Sequence, residues 1–175
     1  MKGVLVVVVA AALLLLASCG VIFPTGPKPE DLANDLANKL MDLIEAGGVP
    51  TYDELRELVY VPNEDVPNED VEDSVFGAID FVVFMSCRPS IPTSISVSGV
   101  NKIETKLLPW IIDGKPDFVE DVYSVTYTCT REASTTVVNL PMIIVQDKGY
   151  FFAVYIKETD GATQVMYYPE LLPFL

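Results

Sequence analysis

The chain has 175 residues, enough for one domain with a substantial core, and carries 25 acidic against 11 basic residues, a net charge of −14. So acidic a chain is a poor partner for nucleic acid or for anionic lipid headgroups. It contains no histidine, which excludes Ser-His-Asp and Cys-His catalysis, the usual zinc sites and the commonest general base.

Residues 1–18 begin with Met1 and Lys2 and continue as an uncharged Val/Leu/Ala run to Leu16. The run is short for a spanning helix, which needs roughly 20 apolar residues. It closes on Leu16-Ala17-Ser18-Cys19, small residues directly before a cysteine, the form of a secretory leader with its cleavage site. This segment resembles the signal peptide and lipobox of prokaryotic lipoproteins. The resemblance implies cleavage before Cys19, lipidation of Cys19 as the mature N-terminus, and anchoring at the exported side of the cytoplasmic membrane or at the outer membrane. Gly20 after the cysteine does not match the inner-membrane retention signal of the Gram-negative pattern, which makes the outer membrane the default there. An uncleaved anchor continued through Val21, Ile22 and Phe23 is the alternative. Residues 19–28, with two glycines and two prolines, form a short stiff tether, and residues 29–175 form a single domain.

A helix is expected from Pro29, because proline suits the first helical position and Glu30 and Asp31 suit the positive end of the helix dipole. Leu32, Leu36, Leu40 and Leu43 or Ile44 recur at helical spacing, and Gly47-Gly48 stops the helix. A second, shorter helix follows Thr51, whose spacing to Glu54 is that of a capping box. Leu55, Leu58 and Val59 form its buried side, and Pro62 ends it. Val61-Pro62-Asn63-Glu64-Asp65 is then repeated as Val66-Pro67-Asn68-Glu69-Asp70. Residues 61–73 are read as an exposed acidic loop. They lack the spacing and central glycine of an EF-hand, so no metal is assigned, and no cofactor is implied anywhere in the chain.

From Val75 the pattern turns to strand. Ile79 to Met85, apolar on both faces, predicts a central covered strand. Weaker strands are expected at 94–97 and 102–108, around a turn at Ser98-Gly99. Residues 122–130 alternate cleanly: Tyr123, Val125, Tyr127 and Cys129 on one face, Ser124, Thr126, Thr128 and Thr130 on the other. A meander continues through 135–145, 150–157 and 162–168, with Pro141 marking an edge or a bulge. The fold class is therefore α+β: two N-terminal helices packed on one curved, mainly antiparallel sheet.

The order of elements, and the stretch from Thr136 through Asp147-Lys148-Gly149 to Tyr150-Phe151-Phe152, resemble exported lipoproteins with an NTF2-like (cystatin-like cone) domain. That resemblance implies a curled sheet enclosing an apolar pocket, and it lends no catalytic residue. Trp110, Tyr123, Tyr127 and Phe152 are the candidate pocket-lining residues, weighed against the plainer role of cross-strand core pairs. Cys87 and Cys129 are either a disulfide, which an exported compartment permits, or two buried thiols. The function expected is a lipid-anchored, non-catalytic binding or interaction domain of the cell envelope. Its partners would be the membrane, reached through the lipid, and an envelope protein or small apolar ligand. The alternatives are a structural assembly component, or an enzyme working through Asp and Glu without histidine.

Overall fold

The chain enters its first ordered element through Lys28, extended at φ −70°, and Pro29 opens helix α1 (Pro29–Ala46). Ala33, Leu36, Ala37 and Leu40 are buried at the expected spacing. Gly47 ends the helix in the left-handed region, at φ 63°, where a side chain would be strained. The computed structural model describes residues 26–65, 68–87, 90–103 and 115–169. Cys19, Trp110, the acidic-repeat residues Val66 and Pro67, and the tail 170–175 lie outside them.

Helix α2 (Tyr52–Leu55) is a single turn held by the predicted capping box. The Glu54 N–H donates to Thr51 Oγ1 at 3.4 Å, and Glu54 Oε2 accepts from the Thr51 N–H at 2.7 Å. Leu58 and Val59 are buried as expected, but Val59 belongs to a short strand, β1 (Val59–Tyr60), and not to the helix.

Two expectations for the next segment are corrected. Helix α3 (Glu69–Cys87) runs through residues read as acidic loop and then as central strand. The first repeat unit lies outside α3, its Asn63–Asp65 forming a 3-10 turn. In the second unit Asn68 caps α3, its Oδ1 accepting from the Val71 N–H at 3.2 Å. Glu69, Asp70 and Glu72 then sit at the positive end of the helix dipole. Val71, Val75, Ala78, Ile79, Val82 and Ser86 are the buried residues, spaced at three and four like one face of a helix. A window on 79–85 alone hides that period, because a short apolar run of β-branched and aromatic residues suits either structure.

Two sheets replace the single expected one. The first is antiparallel, in the order β2 (Ser94–Lys102), β3 (Asp121–Thr130), β4 (Thr135–Val145), β5 (Lys148–Tyr150). The second has the order β1, β6 (Phe152–Thr159), β7 (Ala162–Tyr168), with β1 parallel to β6. Of the strand expected at 102–108, residues 104–108 lie outside the described residues. The strand expected at 94–97 runs on as β2 through 102, across the expected turn. Its register slips between Val97 and Gly99, so Ser98 is the extra residue of a bulge and not part of a turn. The chain changes sheets at Phe151, whose N–H donates to Leu58 O at 2.8 Å. Tyr150 pairs back to Ile143, whereas Phe152 pairs to Val59.

Alternation in β3 is as read from the sequence. Tyr123, Val125, Tyr127 and Cys129 are buried, and Ser124, Thr126 and Thr128 are half-exposed. The half-exposed face is tied together by hydroxyls, with Thr126 Oγ1 donating to Asn139 Oδ1 at 2.7 Å and Thr128 Oγ1 to Ser98 Oγ at 3.1 Å. Pro141 falls in the part of β4 that pairs with β3 alone, since β5 covers only Val145 to Ile143. It stands at an edge, as a residue without an N–H must.

Helix α1 lies against β2 and β5, and α3 lies against β1, β4, β6 and β7. Gly149 permits the first of these contacts. A Cβ there would meet Leu32 Cβ and Met142 Sδ at 3.2 Å, tighter than ordinary packing. The main core joins both long helices to Tyr127, Leu140, Met142, Phe151 and Phe152. A smaller one around Val122, Ile143 and Tyr168 is edged by Tyr60, Phe118, Tyr150 and Tyr155, whose rings contact in series at 5.3–5.4 Å between centroids.

Candidate functional site

The polar side of α1 and the capped turn of α2 meet in a groove of about 320 Å³, a volume at the lower end of ligand sites. Leu43, Ala46, Pro50 and Leu58 supply its apolar lining, and Leu58, fully buried, marks the inner wall. Asp42, Glu54, Glu57 and Lys39 supply the charges. Val49, also on the groove, is 90 % exposed.

Lys39 bridges Asp35 at 3.0 Å and Glu57 at 3.2 Å. Partial burial works against its charge, but hydrogen bonds to the two carboxylates outweigh that and hold the ammonium above its usual range. Lys39 and Glu57 also line a second hollow of about 110 Å³ that continues past them to Lys148, Gly149 and Tyr150. The recess is therefore elongated. Asp42 carries no ion pair among the described residues.

Glu54 contributes both to the groove and to the capping box. Hydrogen bonds from the Thr51 N–H and hydroxyl hold its carboxyl below the usual value. A lowered folded-state pKa stabilises the fold above the unfolded value of about 4.5, and that contribution is lost as pH falls through the folded value. Glu54→Ala should therefore melt below the parent at pH 7, and the gap should close as the pH is taken below about 4. Thermal melts of the two proteins across this range check it.

Arg131 was not singled out by the sequence reading. It is 6 % exposed, and its guanidinium joins the end of α3 to the sheet. It donates to Ser86 O at 2.8 Å, Thr136 Oγ1 at 3.0 Å, Cys129 O at 3.4 Å, and Ser90 O. Ser86 lies in the last turn of α3, where the helix dipole favours a cation. The only sequence signal was an arginine directly after the buried face of a strand.

Cys87 and Cys129 flank this guanidinium as free thiols, Cys87 half-buried and Cys129 fully buried. Of the two alternatives left open by the sequence, the unbonded one is present. Burial raises both thiol pKa values, and the charge of Arg131 only partly opposes it. Neither is set up as a nucleophile. No cluster of three or more His, Cys, Asp or Glu side chains suited to a metal occurs among the described residues.

Of the four candidate pocket-lining residues, Tyr123, Tyr127 and Phe152 lie among the described residues, and all three are buried in the core. Tyr127 and Phe152 are fully enclosed core residues, and Tyr123, 8 % exposed, sends its hydroxyl toward Asp121 Oδ2 at 3.5 Å. None of the three lines the groove or the second hollow. Tyr127 packs on Phe151 with ring centroids 6.0 Å apart, a core contact beyond its cross-strand neighbours Val97 and Val138. Its hydroxyl has no hydrogen-bond partner among the described residues, and burial pushes its pKa up. Tyr127→Phe removes an uncompensated polar atom at constant shape and should stabilise the fold by about 1 kcal/mol in denaturant melts.

No protein-family model matches the chain, and no curated protein or solved structure is significantly similar to it.

Proposed function

We propose that this protein is a lipid-anchored, non-catalytic binding domain of the cell envelope, held through Cys19 at the exported side of the cytoplasmic membrane or at the outer membrane. The observation that carries the reading is the uncharged leader closing on Leu16-Ala17-Ser18-Cys19. No described helix is long and apolar enough to cross a membrane; the leader lies outside the described residues. The finer fold reading, an NTF2-like cone, is supported by α1 lying over the antiparallel sheet at β2 and β5. The recognition surface in this reading is the groove between α1 and α2. Growth with an alkyne-tagged fatty acid tests the anchor. The parent chain should take up the tag and Cys19→Ser should not. An unlabelled parent, or label retained in Cys19→Ser, overturns the reading.

A further inference from the structure

The geometry points to a short, extended peptide segment carrying both basic and apolar side chains as the occupant of the α1–α2 groove. This rests on the reading of the domain as a binding module and names what it binds. Three observations define the occupant. The apolar lining of Leu43, Ala46, Pro50 and Leu58 needs an apolar group. The charged lining along the whole course is Asp35, Asp42, Glu54 and Glu57 against Lys39 and Lys148, with Lys39 already bridged by Asp35 and Glu57. The field there is negative in a chain of net charge −14, so the occupant must be cationic. Finally, the recess is elongated. It runs from Val49 past the Lys39–Glu57 bridge to Gly149 and Tyr150, a course that follows an extended backbone better than a compact ligand. Val49, exposed at one end of that course, would be covered by the bound segment.

The full-length chain, reconstituted in phosphatidylcholine nanodiscs, is titrated with three fluorescein-labelled hexapeptides: leucine alternating with lysine, leucine with glutamate, and glycine with lysine. Empty nanodiscs give the background. The leucine–lysine peptide should bind, and the other two should not. Asp42→Asn should weaken binding about threefold and Val49→Ser about tenfold. Both side chains are exposed, so neither change threatens the fold. Raising salt from about 0.05 to about 0.5 M should weaken binding further. Equal binding of the glutamate peptide, or binding indifferent to both substitutions, overturns the proposal. So does saturation of the groove by benzyltrimethylammonium without any peptide binding, although the domain would then remain a binding module. Failure of the anchor would appear separately, as loss of the fatty-acid tag.

Discussion

Arg131→Met should destabilise the fold by about 3–5 kcal/mol, because it leaves several buried acceptors without their shared donor. The guanidinium is the shared donor for Ser86 O, Ser90 O, Cys129 O and the Thr136 hydroxyl. Methionine fills much of the volume but satisfies none of these acceptors. Each buried acceptor left without a donor costs about 1–3 kcal/mol. Arg131→Lys should recover only part of the loss, because one ammonium cannot reproduce the planar fork that reaches the helix end and two strands together. Urea melts of the three proteins measure the ranking. A loss under about 1 kcal/mol for Arg131→Met would mean that the helix terminus finds other donors, and the joint between α3 and the sheet would have to be placed elsewhere.

Phe152→Ala should cost a similar amount, about 3–5 kcal/mol, as expected for a large aromatic removed from a closed core. Phe152 is fully buried and opens β6 opposite Val59. It stands where the chain leaves one sheet for the other, next to Phe151, which is tied to Leu58 O. Removing the ring therefore empties the seam between the sheets. Val137→Ala is the control, because Val137 is 61 % exposed on β4 of the other sheet and should shift stability by no more than about 0.5 kcal/mol. Comparable losses for the two would deny that the seam is a packed core.

The elements legible in the sequence were those whose local signals agree with their final environment. Helix α1 has proline at its start, glycine at its end and a leucine period between them. Strand β3 alternates because one face is covered and the other is not. The Asp160-Gly161 turn has both residues at positive φ, 53° and 78°, the conformation that dipeptide favours between paired strands. Helix α3 was illegible because two signals misled together. A proline-bearing acidic repeat reads as loop, and Phe81-Val82-Val83-Phe84 reads as strand. Tertiary packing of the Val71–Ser86 face decided the matter against local propensity. The division into two sheets was equally hidden, since β1 is two residues long and its parallel pairing to β6 leaves no local mark.

The candidate site divides in the same way. Glu54 was visible through the capping box, and the acidic surplus through simple counting. The groove itself arises from the meeting of α1 and α2 across Leu58, a tertiary fact. Arg131 acquires its role only when the end of α3 is brought to β3 and β4. The aromatic residues of the C-terminal half suggested a pocket, but burial closes Tyr127 and Phe152 into the core.

Anchoring through Cys19 is the claim on which the envelope assignment rests, and intact mass spectrometry of the membrane-extracted protein tests it most directly. The account predicts a chain that begins at Cys19 and carries added mass from acyl chains on that residue. A species that retains Met1, or one that begins at Cys19 without lipid, would contradict it.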